Sequence, residues 1–196
     1  MAIPPPGEIC WSELDAEAKR TRLLTAAGEV FARDGLDAPM PAIAAAAGAG
    51  IGSVYRQFPA KLDLVAALVV ERHVEVEREA EAALSDPRGP WSGLVALLWS
   101  VAERQVSDDV LGAAMATVPE HPDVLAAVAT TMHTLEALLA AAKAEGRLRP
   151  DATAMDLRLL FASTRAARGL QKDAWRRMLE LGIDALATDA QREPGR

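Results

Sequence analysis

The sequence predicts an all-helical protein, on three observations. Apolar residues recur at three- and four-residue spacing in one segment after another. No segment shows the period-two alternation with β-branched residues that a half-buried strand requires, and alanine, the strongest helix former, is abundant throughout. Glycines and prolines punctuate the periodic segments into about nine helices, three in an N-terminal head and six in a body.

Residues 1–14 carry the run Pro4-Pro5-Pro6 and no sustained periodicity, so they read as a mobile arm. A helix starts near Asp15, holds Leu23, Ala27, Val30 and Phe31 on one face, and closes at Asp34-Gly35, where glycine can take a positive φ. Pro39 and Pro41 flank the start of the second helix, which tolerates them because first-turn amides have no intrahelical acceptor to lose. From Lys61 to about Leu84 runs a longer helix with Leu64, Leu68, Glu71 and Glu75 on adjacent faces, ended by the breaker segment from Ser85 to Pro90. Trp91 to Val106, apolar on several sides through Leu94, Leu97, Leu98, Trp99 and Val101, reads as a buried helix. Ser107-Asp108-Asp109 offers capping oxygens for a short helix ending before Pro119. An alanine-rich helix then runs from Pro122 to Ala144 and stops at Gly146. Thr153 with Asp156 three residues on is a variant capping box opening a helix to about Gly169, and Asp173 caps a last one to about Ala187. The expected domains are an arm (1–14), a head (15–60), a body (61–188) and a tail (189–196).

Composition excludes several classes. Cys10 is alone, so no intrachain disulfide can form, and the residues before it lack the charged and apolar blocks of a signal peptide, which places the chain in the cytoplasm. Apolar runs such as Leu94 to Leu98 break off well short of the roughly 20 residues a membrane helix needs, so no membrane is expected. The overall charge of −7 conceals an uneven distribution. Between Lys19 and Lys61 six basic residues (Lys19, Arg20, Arg22, Arg33, Arg56, Lys61) face three acidic ones (Glu29, Asp34, Asp37), a net of +3, so the remainder carries −10. A basic head on an acidic body steers one end of the molecule toward phosphate.

The segment from Met40 to Phe58 is the most informative. Ile43, Ala44 and Ala47 form an apolar edge on one short helix, Val54 and Phe58 one on the next, and Gly48 stops the first. Small residues before a glycine turn let two helices meet at the steep angle of a helix-turn-helix, whose second helix can enter a DNA major groove. The stretch from Ala47 to Phe58, with Lys61 and Leu64 after it, resembles the helix-turn-helix signature of tetracycline-repressor-like (TetR family) regulators. The resemblance implies that the third helix reads the groove, with Ile51, Ser53, Tyr55, Arg56 and Gln57 on its exposed side. Arg56 has the fork that addresses guanine O6 and N7, and Gln57 can pair with adenine. Tyr55 and Lys61 are suited to phosphates, which fix register without reading sequence. On an arbitrary helix the same residues would be a solvated face. The chain departs from the family pattern at Pro39, where a threonine commonly opens the second helix, and at Gly50, which replaces a serine cap.

The body resembles that family's effector and dimerisation domain in architecture, without a residue motif. In the family the last two helices pair two subunits, and the positions here are Leu157, Leu160, Phe161 and Thr164 on one and Trp175, Met178, Leu179, Gly182 and Leu186 on the other. These stripes are wide enough for both core and partner contacts. An effector pocket is expected among Trp99, Met115, Met132, His133 and Phe161, for which plain core packing is the alternative. His133 and Glu136 could share a metal but have no third ligand nearby, and Ser163-Thr164-Arg165 has no acid–base partner. No catalytic residue, metal or cofactor is therefore expected. The resulting expectation is a homodimeric transcriptional regulator, most simply a repressor, with a double-stranded operator and a neutral or cationic apolar effector as partners. A helical ligand-binding protein or enzyme that keeps the helix-turn-helix as a structural module is the rival reading.

Overall fold

The computed structural model describes residues 10–107, 109–171 and 173–188. Nine α-helices follow one another among them: α1 (Ala16–Asp34), α2 (Met40–Ala46), α3 (Ile51–Gln57), α4 (Lys61–Leu84), α5 (Pro90–Ser107), α6 (Asp109–Thr117), α7 (Pro122–Ala144), α8 (Ala154–Ala167) and α9 (Ala174–Leu186). No strand occurs among the described residues; Leu148 and Ala187 form one isolated antiparallel bridge. The all-helical architecture with an N-terminal helix-turn-helix is thus the one the periodicity predicts. Most of the expected arm and all of the expected tail lie outside the described residues, as does Asp108. The described end of the arm, Trp11–Glu13, forms a short 3-10 turn in which the Cys10 amide donates to Glu13 Oε2 at 3.1 Å.

Local chemistry sets the helix ends. Asp15 Oδ1 accepts from the Ala18 amide at 2.8 Å and opens α1. Thr153 and Asp156 complete the capping box expected at α8, with the Thr153 amide donating to Asp156 Oδ2 at 2.7 Å. Asp173 departs from expectation. It occupies the cap position of α9 but sits at φ 64°, and its side chain caps no amide.

The chain forms two compact units. The first comprises residues up to Glu71 together with Asp108–Leu125, and the second comprises Arg72–Ser107 with Ala126 onward. The start of α4 and the whole of α6 thus fall in the first unit, where α6 packs on α1 and Ala114 is buried. Helices α4 and α7 each run through residues of both units. In the second unit the core gathers Leu94, Leu97, Leu98 and Ala102 of α5, Leu135, Leu138 and Leu139 of α7, Leu157 and Leu160 of α8, and Trp175 and Leu179 of α9. Contrary to the sequence expectation, one helix, α7, is long and apolar enough to cross a membrane by length and composition. Much of that apolarity is alanine, and its leucines at 135, 138 and 139 are buried in the core of the second unit.

Two contacts show how closely this unit is packed. Gly93 lets α5 approach α4 so far that a Cβ there would lie 2.3 Å from the Ala83 carbonyl oxygen. His73 Nδ1 on α4 lies 3.2 Å from Thr131 Oγ1 on α7, a hydroxyl that also reaches the Ala127 carbonyl at 2.9 Å and the His73 carbonyl at 3.4 Å. Burial favours the neutral ring and lowers the His73 pKa.

Gly93→Ala is expected to cost about 1–3 kcal/mol in urea denaturation, since backbone must yield. Gly28→Ala, on α1 with nothing within 4 Å of the added methyl, is expected to stabilise by about 0.5–1 kcal/mol. For His73 the folded pKa lies below the ordinary 6.5, so the unfolded chain takes the proton first as pH falls. Stability should therefore begin to drop as pH falls through 6.5 and go on dropping until the folded ring is protonated as well, and His73→Asn, which keeps a hydrogen-bonding group but does not titrate, should show a smaller drop.

Candidate nucleic-acid interface

The helix-turn-helix is built from α2 and α3, and α2 in turn packs on α1. Helix α2 ends in a complete Schellman arrangement: Gly48 takes φ 65°, its amide donates to Ala45 O at 3.1 Å, and the Ala49 amide reaches back to Ala44 O at 2.8 Å. A side chain at Gly48 would be strained by that φ, so the turn needs glycine there. Gly50 then opens α3 from an extended conformation, with its carbonyl accepting from the Ser53 amide at 2.8 Å. At the other end the Phe58 amide donates to Val54 O at 2.8 Å before Pro59 ends the helix.

Burial divides α3 sharply. Val54 and Phe58 are fully buried in the first unit, whereas Ile51 is 41% and Tyr55 47% exposed. Gly52 and Arg56 are also exposed, and Ser53 and Gln57 are half-buried. The Arg56 guanidinium lies along its own helix, with Nε donating to Gly52 O at 3.2 Å and a terminal nitrogen to Ser53 Oγ at 3.3 Å. Lys61, half-buried at the start of α4, holds its ammonium 5.8 Å from the Phe31 ring centroid. Arg20, which the sequence reading did not select, sits 4.9 Å over the Phe58 ring. Its position on α1 next to the anchor of α3 is a tertiary fact with no local sequence signal. Asp63 fastens the start of α4 by accepting from the Ala60 amide at 2.8 Å, and its other oxygen lies 3.5 Å from His121 Nε2.

The body residues singled out from sequence divide between the two units. Of the effector candidates, Met115 belongs to the first unit and is exposed on α6, and His133 is exposed on α7. Trp99, Met132 and Phe161 pack partly buried against the core of the second unit. Two surface grooves of about 490 and 350 Å3 occur on the second unit, and Trp99 lines the smaller with Trp91 and Val95. Of the dimer candidates, Leu157, Leu160, Thr164, Trp175, Leu179 and Leu186 are buried within the unit itself. Gly182 belongs to the α8–α9 contact, where a Cβ would lie 2.1 Å from Leu160 Cδ1, and Phe161 and Met178 are partly buried. The apolar side chains that do face outward are Met155 (53% exposed) and Leu159 (59%) on α8 and Leu181 (48%) on α9. They lie opposite the buried stripes, a position that helical phase could have marked.

A short two-sided helix, anchored by apolar residues and presenting donors outward after a glycine turn, defines a helix-turn-helix DNA-binding protein. Comparison with known proteins narrows the class. Residues 23–68 match the family of bacterial regulatory proteins, tetR family. The TetR transcription regulatory protein from Mycobacterium vanbaalenii is 30% identical, with 87% of this chain and 95% of that chain covered at a TM-score of 0.65. The TetR transcriptional regulator SCO0520 from Streptomyces coelicolor is 26% identical, covering 86% of this chain and 98% of its own at a TM-score of 0.65. SmeT, the repressor of the Stenotrophomonas maltophilia multidrug efflux pump SmeDEF, shares the fold at 24% identity, with 95% and 96% covered and a TM-score of 0.66. No curated protein matches the chain. The chain belongs to the TetR family of DNA-binding transcriptional regulators.

Proposed function

We propose that the protein is a repressor that binds a pseudo-palindromic operator in the cytoplasm as a homodimer and is released by a small-molecule effector. The observation that carries the reading is the division of α3 into a buried edge, Val54 and Phe58, and an outward edge with Ile51, Tyr55 and Arg56. With that outward edge in the major groove, Arg56 and Gln57 read bases, while Ser53, Tyr55 and Lys61 hold the backbone. Two such heads about one turn of DNA apart give the operator its two-fold symmetry. The subunits pair through the outward apolar faces of α8 and α9, centred on Met155, Leu159 and Leu181, rather than through the buried stripes. An apolar, neutral or cationic effector near Trp99 is coupled to α3 through α4, whose residues are shared by both units, and operator binding weakens the effector by the same factor.

Arg56→Ala should cost about 1–3 kcal/mol per half-site and flatten the preference at one operator position. Lys61→Ala should instead weaken all sequences evenly and lower the salt slope by about one. Binding measured over a set of operator variants at several salt concentrations separates the two, and an Arg56→Ala protein with unchanged preference would remove Arg56 from the groove. For the dimer, Leu159→Glu combined with Leu181→Glu places two charges on an outward face and should leave a folded monomer with reduced operator affinity. Sedimentation reads the result; an intact dimer would put the interface elsewhere.

A further inference from the structure

A cation site is built into the second unit. The Trp99 ring of α5 and the Trp175 ring of α9 meet edge to face, with centroids 6.2 Å apart and planes at 66°. Into the corner between them the chain places its own cation: the Arg176 guanidinium carbon is 4.5 Å from the Trp175 centroid and 6.0 Å from that of Trp99. Two carboxylates complete the corner, Glu103 Oε1 at 3.2 Å from a terminal nitrogen of Arg176 and Asp173 Oδ1 at 3.8 Å from its Nε. Asp173 is the residue with a positive φ whose side chain leaves the α9 amides uncapped, so its carboxylate is available to the corner instead of the helix.

Trp99 also forms one end of the 350 Å3 groove along α5, lined by Trp91, Ser92, Val95 and Ala96. Arg88 at its other end is already paired, its Nε and a terminal nitrogen donating to Asp86 Oδ1 and Oδ2 at 3.0 and 2.8 Å. The arrangement combines indole faces that attract a cation, acids that compensate it and an apolar trough beside them. Its present occupant is a tethered side chain that remains 47% exposed, and so can be displaced by a rotamer change alone.

We propose that this corner binds an organic cation bearing an aromatic or alkyl body, the cationic end replacing Arg176 against Trp99, Trp175 and Glu103 and the body lying in the groove. Anions are rejected by Glu103 and Asp173, and a neutral molecule gains only the groove. Binding stands on the second unit alone; its effect on the operator rests on the effector reading above.

The probe is benzamidinium, with benzamide as the uncharged counterpart, each titrated calorimetrically in the absence of DNA. Removing the built-in competitor with Arg176→Ala should tighten benzamidinium by about two- to fivefold, the range of a solvent-exposed cation–aromatic contact, and leave benzamide unchanged. Arg176→Gln should act in the same direction while keeping most of the stem, and Arg176→Lys, which keeps a tethered cation, should resemble the parent; circular dichroism checks each fold. Adding Trp99→Leu to Arg176→Ala should abolish the gain. If Arg176→Ala and Arg176→Gln bind benzamidinium no more tightly than the parent, or benzamide gains equally, the corner is not a ligand site. Benzamidinium binding without operator release would retire the effector reading and leave the site standing.

Discussion

A helix of seven residues cannot hold itself in water, where isolated helices below about 12–15 residues are marginal. Helix α3 is that short, and its donors can be presented at a fixed angle only because Val54 and Phe58 are buried in the first unit. Everything upstream serves those two anchors. Helix α1 supplies the buried Leu23, Ala27, Val30 and Phe31, α2 packs against it, and the Schellman turn at Gly48 sets the direction in which the chain re-enters as α3. Replacing an N-terminal serine cap with Gly50 removes one hydrogen bond from a helix whose position is fixed by its anchors, a loss of only a few tenths of a kcal/mol.

This is why the head was legible in the sequence and parts of the body were not. Val54 and Phe58 are four apart among polar neighbours, and Gly48 is the one residue type that fits a left-handed turn, so burial and turn chemistry coincide with local pattern. The partnership of α6 with α1 joins segments far apart in the chain, and no periodicity encodes that. Asp173 misled for a related reason. Aspartate before a helix is the expected cap, but the carboxylate faces Arg176, and Arg176 owes its place to Trp99 on another helix.

The inward placement of the apolar stripes on α8 and α9 has its own physical cause. In α8 and α9 the largest apolar residues mark the stripe that the subunit needs for itself, because a unit this size must bury Leu157, Leu160, Trp175 and Leu179 before any surface remains to share. Alanine obscures the difference elsewhere. Along α7 it is counted as apolar on every side, and only the leucines at 135, 138 and 139 distinguish the inner face. Glycine adds a second blind spot, since Gly93 and Gly182 carry no hydrophobicity yet leave the space that the Ala83 backbone of α4 and the Leu160 side chain of α8 occupy.

Both units place cations over aromatic rings, with different electrostatic consequences. In the head, Arg20 over Phe58 and Lys61 over Phe31 gain position from a ring that brings no formal charge, and among the described residues neither pairs with a carboxylate. On a chain of net −7 both therefore remain uncompensated positive charges. In the second unit Arg176 over Trp175 is compensated by Glu103 and Asp173, so the same contact presents no positive field to an anion. One interaction type therefore yields an uncompensated cation in the first unit and a compensated one in the second. The difference lies in the carboxylates, which are two where the rings are tryptophans and none where they are phenylalanines.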